Sequence, residues 1–137
     1  MFTNDTQIRI RYSETDQMGY CYYGNYAQFF EIGRVETLRS LGVSYKELED
    51  KGIMLPVLEY NVKFIKPSFY DDLITIRTYI KKLPVAKIEF DYELYNQNNV
   101  LLTTAHTTLV FIQKNTMKPC QAPAEVIRKL KEFIKEE

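Results

Sequence analysis

A chain of 137 residues with 45% hydrophobic and 26% charged side chains has the proportions of one domain, residues 1–137, with apolar material for a core. Its 18 basic and 18 acidic residues cancel, which excludes a generic nucleic-acid binder built on a net basic surface, and no apolar run is long enough to span a membrane. The first 12 residues contain no apolar signal core, and Cys21 and Cys120 have no metal-like spacing, so a cytoplasmic protein with reduced thiols and no metal is expected.

Residues 7–12 alternate, with Ile8, Ile10 and Tyr12 on one face and Gln7, Arg9 and Arg11 on the other, the spacing of a half-buried strand. A tyrosine-rich loop holding Asp16 and Gly19 follows. Over residues 24–41 the period changes. Tyr26, Phe29, Phe30, Gly33, Thr37 and Leu41 recur at helical spacing, and Ile32, Val35 and Leu38 widen the apolar arc, predicting a long helix covered on several sides. Gly42 suits its stop. Residues 44–51 predict a short second helix, with Ser44 as cap and Glu47 three positions on.

Four strands are expected next, over 58–64, 73–82, 88–94 and 100–113, separated by Pro67, by Leu83-Pro84 and by the turn at 96–99. Their short connections make neighbours antiparallel. Val126, Ile127, Leu130, Phe133 and Ile134 mark an amphipathic C-terminal helix. The order implies an α+β fold, one antiparallel sheet of about five strands wrapped around a long central helix. Such a sheet leaves an edge and a flank uncovered, so a homo-oligomer, at least a dimer, is expected.

The chemistry concentrates at YSETDQMGYCYYGNY, residues 12–26. A helix N-terminus offers unpaired N–H groups that polarise a carbonyl oxygen, and a nearby carboxylate can attack the carbonyl carbon or activate water. Taken alone, Asp16 reads first as a turn or cap residue. Glu31 is the rival carboxylate, or else an ion-pair partner of Arg34. His106 sits among threonines with no nucleophile close in sequence and reads as a strand residue. Cys21 reads as a small loop residue rather than a nucleophile. Lys81, Lys82 and Lys87 surround the break at 83–84, either a solvated hairpin or a phosphate-binding loop.

Two stretches carry a resemblance. Asp16, Gly19, Tyr23, Asn25 and Tyr26 spell D-x-x-G-x-x-x-Y-x-N-Y ahead of FFEIGR, and KPSFYDDLITIRT occupies residues 66–78. Together with the strand pattern over residues 6–113, they resemble the hotdog-fold acyl-CoA thioesterases of the 4-hydroxybenzoyl-CoA thioesterase type. The resemblance implies hydrolysis of an acyl-CoA to a free acid and coenzyme A, with no cofactor. It casts Asp16 as nucleophile or general base, and the main chain at Tyr23 and Gly24 as the carbonyl-oxygen site. Gly19, Tyr22, Asn25 and Tyr26 then belong to substrate binding. Lys81, Lys82 and Lys87 would hold the coenzyme A phosphates. It also implies a dimer or dimer of dimers, a homotetramer, with acyl-CoA bound between subunits. The chain departs from the resembled pattern in three places. Tyr23 stands where the Tol-Pal-associated relatives carry histidine. Gly24 replaces a proline or alanine, and Pro84-Val85-Ala86 falls where the basic cluster is densest. The alternative is a non-catalytic hotdog module that binds acyl thioesters.

Overall fold

A computed structural model describes residues 1–135. In chain order the elements are β1 (Phe2–Arg9), 3-10 turns at Tyr12–Glu14 and Tyr23–Asn25, α1 (Tyr26–Ser40), α2 (Tyr45–Asp50), β2 (Ile53–Met54), β3 (Val57–Phe64), β4 (Leu73–Ile80), β5 (Lys87–Tyr95), β6 (Leu101–Val110), β7 (Ile112–Gln113), β8 (Lys118–Pro119) and α3 (Ala124–Leu130). Five strands form one antiparallel sheet in the order β1-β4-β5-β6-β3, and α1 lies across it, the hotdog arrangement.

The period of two explains the sheet. Ile74, Ile76, Thr78 and Ile80 of β4 and Ile88, Phe90, Tyr92 and Leu94 of β5 are buried beneath α1, while their odd-numbered neighbours reach the outer face. Each large apolar side chain so buried contributes about 1.5–3 kcal/mol. The helix contributes Tyr26, Phe29, Phe30, Gly33, Thr37 and Leu38. Gly33 sets its closest approach, because a Cβ there would lie 2.7 Å from both Ile76 Cγ2 and Thr78 Oγ1.

Several expectations change. β1 spans Phe2–Arg9 rather than 7–12, since its polar first half is held by pairing with β4, from Phe2 opposite Ile80 to Arg9 opposite Leu73. Tyr12 is not on a buried face. The chain has already turned into the 3-10 segment, and the ring is 77% exposed. α1 is covered on one side, not several, with Glu31 and Ile32 exposed. Residues 100–113 are not one strand. The chain bends at buried Phe111, and β7 joins β2 and β8 in a small second sheet. β3 lies at the sheet edge, with Leu58 53% and Tyr60 44% exposed despite their alternation. The last helix ends at Leu130, and Phe133 packs beyond it against Phe2, ring centroids 4.8 Å apart. Among the described residues no helix is long and apolar enough to cross a membrane.

Candidate active site

The loop after β1 is held by its own backbone. Glu14 is buried, and its Oε1 accepts the Arg11 N–H at 2.7 Å. The Glu14 carbonyl accepts two donors, the Tyr22 N–H and Asn25 Nδ2, each at 2.8 Å. Thr15 bridges Cys21, the Asp16 N–H donates to the Tyr20 carbonyl at 3.1 Å, and the Gly19 N–H returns to the Asp16 carbonyl at 3.0 Å. That return requires φ of +86° at Gly19, a conformation that favours glycine. Residues 15–21 therefore form a closed hairpin with Asp16 at one shoulder. Asp16 Oδ1 accepts the Met18 N–H at 2.9 Å, which fixes the carboxylate and leaves its second oxygen for other work.

The helix entry borders the same cavity as this carboxylate, through Tyr23. The first bond of the 3-10 turn runs from the Asn25 N–H to the Tyr22 carbonyl at 3.0 Å, so the N–H groups of Tyr23 and Gly24 precede it, as at any helix start. Gly24 has a steric reason to lack a side chain, since a Cβ would sit 2.5 Å from the Tyr22 ring.

The second motif stretch closes the site. The Cys21 N–H donates to the Ser68 carbonyl at 2.7 Å, and the Tyr26 hydroxyl shares a hydrogen bond with Ser68 Oγ at 2.8 Å. Between the two stretches opens a cavity of about 540 Å³, whose walls include Asp16, Tyr23, Tyr26, Phe64, Lys66 and Pro67. Tyr26 and Phe64 meet edge to face, centroids 5.0 Å apart. A carboxylate, unpaired N–H groups and apolar walls suit a substrate with one polarised carbonyl and an apolar tail.

The other candidates are placed as follows. Tyr22 and Gly19 do not line the cavity, and the Asn25 side chain is spent on the Glu14 carbonyl. Phe29 is in the core. Cys21 lines the cavity, but burial pushes its thiol up, against a nucleophilic role at neutral pH. Glu31 is exposed and outside the cavity, and its ion pair with Arg34 is not formed, because Arg34 points into the interior. His106 lies on β6 with Nδ1 2.8 Å from Asp91 Oδ1. Lys81 pairs with Asp91 and Lys82 with Glu89, both at 3.6 Å, on the outer sheet face. Lys82 and Lys87 border a separate hollow of about 330 Å³ at the opposite end of the sheet from Asp16. Sequence reasoning missed Glu14, Phe64 and Ile65, and it singled out the stretch from Lys66 through Ser68 by its motif without assigning it a part in the site.

The sequence model of the thioesterase-like superfamily matches residues 10–130. YneP of Bacillus subtilis, provisionally named an acyl-CoA thioesterase, is 33% identical over 121 residues, 88% of each chain. A DHNA-CoA thioesterase of Staphylococcus aureus is 35% identical, with a TM-score of 0.85 over 97% of this chain and 84% of that one. A mutant 4-hydroxybenzoyl CoA thioesterase complexed with 4-hydroxybenzoyl CoA shares the fold at a TM-score of 0.85 and 20% identity, covering 94% of this chain and 99% of that one. Fold, family and relatives define the class, a hotdog-fold thioester hydrolase. Within it, the chain belongs to the thioesterase-like superfamily.

Proposed function

We propose that this protein hydrolyses an acyl-CoA thioester to a free carboxylic acid and coenzyme A, with Asp16 as nucleophile or general base. The observation that supports this reading is that Asp16 and Tyr23, the first residue of the helix-entry turn, line one largely apolar-walled cavity. As base, Asp16 takes a proton from water as the water oxygen bonds to the carbonyl carbon. As nucleophile, its own oxygen forms that bond, and water later cleaves the resulting anhydride. In both routes the carbonyl oxygen gains charge opposite the Tyr23 N–H, and the C–S bond then breaks. The leaving thiolate is stable near pH 8.5, so no strong general acid is needed. The reaction needs no cofactor, since coenzyme A arrives as part of the substrate. Free thiols at Cys21 and Cys120 suit a cytoplasmic setting.

The working unit is a homo-oligomer, at least a dimer, paired through β3. This edge strand exposes Val57, Leu58, Tyr60 and Phe64, which an isolated subunit would present as a sticky template. Antiparallel pairing of two β3 edges sets the Asp16 end of one sheet beside the Lys81–Lys87 end of the next. The partner's hairpin, between its β4 and β5, would then lie three to four strand spacings from β3, about 14–19 Å, within reach of the phosphates of coenzyme A. Thiol release from a panel of short, long and aryl acyl-CoAs, read with a thiol reagent, tests the activity. Release matched by free acid is expected. No release above background across the panel would favour a binding module.

A further inference from the structure

A second cavity lies further along α1 and β3 from the one at Asp16. α1 runs antiparallel to β3, so residues one turn apart on the helix meet residues four apart on the strand. Tyr26 meets Phe64 at 5.0 Å, and Phe30 meets Tyr60 at 6.0 Å. The first pair walls the Asp16 cavity. The second walls another of about 240 Å³, shared with Ala27, Val57, Thr107 and Arg34. The two cavities therefore come in succession along α1 and β3, and Arg34 lines the second.

Arg34 is 8% exposed, and its Nε is buried without a hydrogen-bond partner. Among the described residues no carboxylate pairs with it. Its polar neighbours are the hydroxyls of Tyr45 and Tyr92. Tyr92 is engaged with Thr107 Oγ1 at 2.7 Å, while the buried Tyr45 hydroxyl has no hydrogen-bond partner. A guanidinium does not lose its proton in a protein, and a buried cation without an anion is strongly unfavourable. The guanidinium is thus open to a planar, doubly accepting anion, which a carboxylate supplies. Along the helix axis Arg34 lies ~16 Å beyond the Tyr23 N–H, and its side chain leans back towards it.

We propose that Arg34 is a specificity residue that receives the terminal carboxylate of an acyl chain laid along the α1–β3 groove. The preferred substrates are then acyl-CoAs of dicarboxylic acids. This rests on the reading of Asp16 as the hydrolytic centre, so the test keeps binding and turnover apart. Dicarboxylic acyl-CoAs of increasing length are each compared with the monocarboxylic acyl-CoA of the same length. At the best length, kcat/KM favours the carboxylated substrate by at least ~10-fold in the wild type, the scale of a charge-assisted pair, and Arg34→Met abolishes the preference. Separately, the free diacid raises the Tm of the wild type more than the monoacid does, and Arg34→Met loses the difference. Should that variant fail to fold, the wild-type ratio and the wild-type Tm shift decide the matter. A ratio at or below one at every length, with no extra Tm shift, overturns the proposal and leaves the thioesterase reading intact. Absent hydrolysis with a preserved diacid-specific shift overturns the hydrolytic reading and keeps the anion pocket. If Arg34→Met weakens subunit association while the ratio holds, the counter-charge comes from a second copy and the proposal fails.

Discussion

Asp16 and Cys21 line the same cavity, and their surroundings assign them different work. Asp16 keeps one oxygen on the Met18 N–H and offers the other. Cys21 is 2% exposed, and burial holds its thiol above the ordinary range. Its thiolate therefore appears only at higher pH than that of an exposed cysteine. The expected result is that an alkylating reagent at neutral pH modifies Cys120 before Cys21, and that Cys21→Ala keeps most of the activity. Rapid loss of activity on labelling Cys21 alone, or an inactive but folded Cys21→Ala, would contradict this. Asp16, Tyr23 and Tyr26 were legible because a short motif with fixed spacing names them. Ser68 and Phe64 were not, because their part depends on the two stretches touching, at 2.7 and 2.8 Å through Ser68 and at 5.0 Å between Tyr26 and Phe64. Arg34 was read only as an ion-pair partner of Glu31. Only the depth of α1 against Tyr92 and Tyr45 shows otherwise.

At the scale of elements, α1 against β4 and β5 is the organising contact, and Gly33 sets its distance. Replacing Gly33 with Val would drive a branched side chain into Ile76 and Thr78. Helix propensity favours Val over Gly by only a few tenths of a kcal/mol, while overpacking of this kind costs about 1–3 kcal/mol. A net loss of about 2 kcal/mol is expected, read as a lower midpoint in denaturant unfolding. An unchanged or raised midpoint would mean that α1 lifts freely. The strands β4 and β5 were readable from a period of two, looser in β4, and the helix α1 from its period of 3.6. The first half of β1 was not, since Thr3, Asn4 and Asp5 carry no apolar signal and owe their strand to register with β4. The break at Phe111 was hidden because the apolar run continues through it. Only pairing with β2 and β8 separates the two pieces.

At the scale of the molecule, one subunit holds Asp16 and the lysine hairpin at opposite ends of the sheet, so the proposed phosphate role of these lysines calls for a second copy. Light scattering at micromolar concentration is expected to show a dimer or a dimer of dimers, and a stable, active monomer would contradict the β3 pairing. Substituting Lys81, Lys82 and Lys87 together by Ala is expected to raise KM more than it lowers kcat. Phosphate contacts remote from the carbonyl act alike in ground and transition states. The effect should shrink in high salt, because exposed charges are screened. Lys81 and Lys82 already pair with Asp91 and Glu89, so Lys87 is expected to account for the largest share. An unchanged KM at low salt would place the nucleotide elsewhere.

The central claim is that the Asp16 carboxylate carries the hydrolysis. Its most direct test is the thiol-release rate of Asp16→Asn set against Glu31→Gln, with both proteins confirmed folded by circular dichroism. Asp16→Asn keeps the size and the turn but removes the charge and the attacking oxygen. The expected result is a fall in kcat of at least ~10²-fold with substrate binding retained, and a far smaller loss in Glu31→Gln. Near wild-type turnover in Asp16→Asn beside an inactive Glu31→Gln would move the reaction from the loop to the helix and contradict the account.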